Sequence, residues 1–122
     1  MNIKERIELK RKLREIAKSD NPLNQSDCDY FKQTFIEIKP TQKEIINLIH
    51  NLLKVYYVEE TDYELIIADF LFKQIKEENL INFKLSTLYL ISVYNSCNAI
   101  LRLLLNYNVP IDPEVYEDLC IY

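Results

Sequence analysis

The chain of 122 residues contains no glycine. Glycine supplies the positive φ angles of tight hairpins, phosphate-cradling loops and bulges. Its absence argues against an antiparallel sheet with short turns, a P-loop or a dinucleotide-binding fold. Helices joined by Asn, Asp and Pro need no glycine, so an all-α fold is expected before any periodicity is read. Cysteine is scarce as well. Cys28, Cys97 and Cys120 are odd in number and far apart, which fits neither a disulfide framework nor metal-ligand spacing. Reduced thiols in a cytoplasmic protein are the expectation. No run of about 18 uncharged apolar residues occurs, so neither a membrane span nor a membrane partner is expected. The first residues are too charged for a secretory signal. A catalytic constellation is also missing. The single histidine, His50, shares its helix face with Asn47, Asn51 and Lys54; as a general base it would need an orienting carboxylate and a nucleophile, and no local sequence pattern activates any of the three cysteines. No enzymatic activity, cofactor or metal is therefore expected.

Apolar residues make up 48% of the chain and charged residues 28%, the balance of a globular protein. At this length one domain, residues 1–122, with a substantial core is expected. The net charge of −4 is unevenly placed. Residues 1–18 carry seven Lys or Arg against three Glu, or +4, which leaves −8 for the rest. A body of that sign is a poor nucleic-acid surface, so the expected partner is a basic protein, with nucleic acid unlikely.

The two most apolar runs, Leu65 to Phe72 and Ala99 to Leu105, superpose at a shift of 33 positions: Ile67 on Ile100, Phe70 on Leu103, Leu71 on Leu104, Phe72 on Leu105. Being apolar almost all round, they are expected to be the two central helices. Residues 3–18 form a helix whose apolar positions split, Ile3 and Ile7 pointing one way and Leu9, Leu13 and Ile16 another. A second helix is capped by Ser26 or Asp27 and stopped by Pro40. Thr41 and Glu44 form a capping box that opens a third, running to about Val58. Thr61 and Glu64 form another, opening a helix over 62–77. Leu85, Leu88, Tyr89 and Ser92 mark the next helix, broken near Asn95 or Ser96, and residues 98–107 the one after. Asp112-Pro113-Glu114 is a strong helix start, cap, proline, then acid in the first turn, with Val115, Tyr116 and Leu119 expected on the buried face. About seven short helices result, in stacked antiparallel pairs or an orthogonal array.

The segments Leu85 to Asn95 and Ala99 to Asp112 carry a short helix, a turn, a Leu-rich second helix and an extended loop. In this they resemble an ankyrin repeat. Tyr56 and Tyr89, and Asn79 and Asp112, are also 33 residues apart. The resemblance covers about residues 53–112. Ser86-Thr87-Leu88-Tyr89 stands where the family has Thr-Pro-Leu-His, and Asn108 stands where it has a loop glycine. It implies stacked helix pairs and protein binding through a concave groove, as an adaptor or effector does, with no catalytic residues.

Two segments rich in acid and tyrosine are the candidate partner-binding sites. The first holds Tyr57, Glu59, Glu60, Asp62, Tyr63 and Glu64. The second holds Glu114, Glu117 and Asp118, beside Tyr116. Neither contains Lys or Arg. Acids at a surface steer a basic partner, and tyrosine buries large area at small entropic cost. Small size, acidity and the lack of catalytic groups suit an immunity or antitoxin-type protein that occludes a basic toxin such as a nuclease. The basic first helix offers a third reading, a nucleic-acid regulator, although no aromatic residues interleave its Lys and Arg. Asp69 aligns with Arg102 at the 33-residue shift, and a cross-helix ion pair between them is expected.

Overall fold

The computed structural model describes residues 1–53 and 58–120. Among them are seven α-helices and no strand: α1 (Ile3–Ala17), α2 (Gln25–Ile38), α3 (Gln42–Leu52), α4 (Tyr63–Phe72), α5 (Phe83–Tyr94), α6 (Asn98–Asn106) and α7 (Pro113–Cys120), with one 3-10 turn at Glu77–Asn79. Consecutive helices pair, α1 with α2, α3 with α4 and α5 with α6. The pairs stack. One row runs α1, α3, α5, α7, and the other runs α2, α4, α6. A continuous core lies between the rows, centred on Phe31, Ile38, Ile49, Ile67, Leu71, Phe72, Leu88 and Ile100.

Helix ends depart from expectation in several places. The cap of α2 is Asn24, not Ser26 or Asp27. Its Oδ1 accepts the Asp27 N–H while the Asp27 carboxylate accepts the Asn24 N–H. The Thr41–Glu44 box is present as expected. Helix α3, however, ends at Leu52, and Val58 is buried outside any helix. Helix α4 stops at Phe72, five residues short of the expected end, because Gln42 captures the chain beyond it. The Gln42 amide donates to the Gln74 carbonyl at 3.0 Å, and its oxygen accepts the Lys76 N–H at 2.9 Å. Three helices close through a left-handed residue that is not glycine: Lys39 after α2, Ser96 after α5 and Asn108 after α6, with φ of 45°, 51° and 54°. Asn tolerates that region; Lys and Ser do so at a cost of about 1 kcal/mol each.

Of the two apolar runs, only α4 is central. It packs on α2, α3 and α6, and its Phe70 meets Phe35 edge-on at 5.2 Å. Helix α6 is one-sided. Ile100, Leu103 and Leu104 are buried, but Leu105, the counterpart of buried Phe72, is 55% exposed. The cause is position: α6 is the last helix of its row, with no further helix against its outer flank. In α1, Leu13 and Ala17 are buried while Ile3 and Ile7 stay exposed.

Candidate partner-binding surfaces

The first acidic segment lies where three loops converge: α1–α2, α3–α4 and α5–α6. The Cys97 thiol donates to the Val58 carbonyl at 3.2 Å, tying the second loop to the third. The Glu64 carboxylate accepts the Leu23 N–H at 2.9 Å, tying it to the first. The expected Thr61–Glu64 box is therefore absent. Asp62 stands at the cap position, and its carboxylate accepts the Glu59 N–H at 2.9 Å. The Tyr63 hydroxyl donates to Gln25 Oε1 at 2.9 Å. Glu60 is exposed but ion-paired with Arg102, a base brought from the middle of α6. Glu59 is exposed. Tyr57 lies outside the described residues.

The second segment is differently placed. The Asp112 N–H donates to Ser86 Oγ at 2.7 Å, which fixes the start of α7 beside the first turn of α5. Asp112 then caps α7, its Oδ1 accepting the Glu114 N–H at 3.0 Å. Val115 is buried against α5, while Glu114, Tyr116, Glu117 and Asp118 are exposed. Among the described residues these three carboxylates have no ion-pair partner, and no Lys or Arg follows Arg102 in the chain. The start of α7 and the first segment lie at opposite ends of α5, a helix of 12 residues and so about 18 Å long. The two segments do not merge into one patch.

The expected Asp69–Arg102 pair does not form, although both residues line one groove between α4 and α6. Asp69 accepts the Tyr107 hydroxyl at 2.6 Å and pairs with Lys73 at 3.3 Å, and Arg102 is held by Glu60. Tyr107 also stacks on Phe72 at 5.1 Å. Burial and the bond to Asp69 push its phenol well above the usual range. Burial alone does the same to Tyr89, which donates to the Val109 carbonyl at 2.7 Å. Burial also raises the Cys28 thiol, so nothing there favours a reactive thiolate. Among the described residues no three His, Cys, Asp or Glu side chains converge as metal ligands would, and no helix is long and apolar enough to cross a membrane.

A surface not foreseen from the sequence is a cavity of about 170 Å³ between α1 and α3. Leu13, Ile38 and Leu48 floor it, and Lys10, Arg14, Glu44 and Asn51 are among its rim. Lys10 and Glu44 pair at 3.0 Å. Burial raises the Glu44 carboxyl, but the Thr41 N–H and Lys10 outweigh it and leave the group below its ordinary value. On the outer side of α1, Arg11 is held by Glu8 and Glu15. Those contacts absorb part of the basic run that hinted at nucleic acid.

The molecule is thus an all-α stack of helix pairs, with one acidic helix uncommitted at its end. Compared with family models, curated proteins and solved structures, the chain matches none, so the functional argument rests on its own side chains.

Proposed function

We propose that the chain acts by binding a basic protein, without catalysis of its own, and that α7 is the main docking element. The narrower reading is an immunity or antitoxin-type protein in the cytoplasm that covers the active site of a basic toxin such as a nuclease. One observation carries it: Glu114, Glu117 and Asp118 stand exposed together on a helix with no base, and Tyr116, on another flank of the same helix, is 59% exposed. Acids that satisfy nothing inside the fold remain free to meet Lys and Arg, and an exposed tyrosine on the same helix is a ready anchor at the edge of such a contact. Glu59 and Glu60 form a lesser second contact, since Glu60 must first give up Arg102.

The apolar floor of the α1–α3 cavity favours a second reading, an ankyrin-like adaptor that takes an apolar segment into a groove along the stacked helices. Ionic strength separates the two, because steered acidic binding weakens with salt and groove binding does so less. The decisive experiment uses the product of the neighbouring reading frame. Under the immunity reading that product is basic and toxic alone, and co-expression of this chain restores growth while the Glu114→Lys/Glu117→Lys/Asp118→Lys variant does not. A harmless neighbour, or rescue that survives the triple reversal, overturns it.

A further inference from the structure

We infer that the acidic face of α7 docks against the basic and apolar edge of α1 in a second copy of this chain. Ile3, Ile7, Lys10 and Arg14 recur at positions i, i+4, i+7 and i+11, which places them along one side of α1. Ile3 and Ile7, in the first two turns of α1, are 79% and 61% exposed, a high value for isoleucine. Lys10 and Arg14 continue that stripe onto the rim of the α1–α3 cavity, above buried Leu13 and Leu48. Arg14 has no ion-pair partner among the described residues, and residues 1–18 sum to +4.

At the other end of the row the signs reverse. Asp112, Glu114, Glu117 and Asp118 supply four negative charges with no base, beside exposed Ile111 and Tyr116. Each end thus offers what the other lacks: apolar side chains flanked by charge of opposite sign. They cannot meet within one molecule. Helices α3 and α5 stand between α1 and α7, and packed helices lie about 8–10 Å apart, which puts the two ends roughly 25–30 Å from each other. At physiological salt, charges that far apart are screened from one another, so only direct contact between copies brings them into play. The unlike patches at opposite ends of the row make the contact heterologous, so copies add head to tail, as an open chain or, where the rotation closes, a ring. This inference does not depend on a foreign partner, since the basic surface is the chain's own.

The test is sedimentation velocity on the purified full chain alone, from dilute to near-millimolar protein, at low and at high salt. The expected result is a concentration-dependent rise in mass, with association weakened at least about tenfold at high salt. Two variants that change only exposed side chains sharpen it: Glu117→Lys/Asp118→Lys at the acidic end and Ile7→Glu/Arg14→Glu at the basic end. Each is expected to stay monomeric alone, with unchanged melting, and their mixture to associate, because one supplies the native α7 and the other the native α1. A wild-type chain that stays monomeric at low salt overturns the inference. So does association that survives either reversal, or a mixture of the two variants that remains monomeric. None of these outcomes touches binding to a foreign basic protein, which the co-expression experiment reads separately.

Discussion

The loop end Val58 to Glu64 and the helix α7 have nearly the same composition, and the fold uses them in opposite ways. At the loop end, Asp62 and Glu64 each accept a backbone N–H, Tyr63 reaches α2, and Glu60 holds Arg102. In α7, Asp112 alone takes up backbone groups, and the three acids beyond it face solvent. The difference lies in the neighbours. Where three loops meet, backbone donors leave the helices and need acceptors, so nearby carboxylates are drawn in. At the end of a row there is only α5 to pack on, and its backbone is already satisfied. Acidity in sequence marks where charge is, but only the surrounding chain decides whether that charge is spare.

The sharpest way to break this contrast is Glu64→Ala. It strands the partly buried Leu23 N–H, and hydrogen bonds to charged groups contribute about 1.5–3 kcal/mol. The expected result is destabilisation by about 1–3 kcal/mol in thermal or denaturant unfolding. A change as small as that of Glu117→Ala would mean that the loop end is no more committed than α7.

Tyr107→Phe comes next, at about 1–2 kcal/mol, since it removes the bond to Asp69 and keeps the stack on Phe72. Its clearer signature is in alkali. The folded-state pKa of Tyr107 is raised, so the associated stability is fully present below the unfolded value near 10 and is lost as pH climbs toward the folded value. Wild type should therefore lose stability above pH 10 more steeply than Tyr107→Phe, which retains the contributions of the buried Tyr89 and Cys28. Equal slopes in pH-dependent denaturation would remove the Asp69–Tyr107 bond as a stabilising contact.

A smaller effect is expected in acid. The folded-state pKa of Glu44 is depressed, so its contribution is present above the ordinary 4.5 and is lost as pH falls through the lower folded value. Glu44→Gln should flatten the stability profile below about pH 4.5.

Much of the helix order was legible from local chemistry. The Thr41–Glu44 box, the stop at Pro40, the break at Ser96 and the Asp112-Pro113-Glu114 start all act through neighbours a few residues away, and all appear where expected. One failed reading was local, the α2 cap falling on Asn24 in place of Ser26 or Asp27, while others involve side chains reaching between pairs. Gln42 ends α4 from a distance of 32 residues, and Glu64 is taken from its box by Leu23, 41 residues back. The 33-residue shift matched buried Ile67 with Ile100 and Leu71 with Leu104, yet it paired Asp69 with Arg102, which nearer partners had already claimed. Apolar content alone could not say that α6 ends its row. For the candidate sites, exposure of the α7 acids followed from their helical spacing around Val115, but Tyr116, expected on the same buried face, is 59% exposed because α7 packs chiefly on α5, and engagement of the loop acids depended on a meeting of three loops that no local pattern encodes.

The smallest expected effect is also the one that bears most on function. Reversing Glu114, Glu117 and Asp118 to Lys removes acids that make no ion pair with described residues and that lie beyond the helix cap, so the folded state loses little. Exposed substitutions of this kind change stability by about 0.5 kcal/mol or less. The reversal does place Lys near the positive N-terminal end of a short helix, which costs a few tenths of a kcal/mol per charge in the first turn, chiefly at position 114. Glu114→Gln with Glu117→Lys and Asp118→Lys therefore isolates the surface from the helix dipole. If melting is unchanged and association with a basic protein is lost, the α7 acids serve an interface. If melting falls by several degrees, they have been holding the molecule together after all, and the contrast between the two acidic regions disappears.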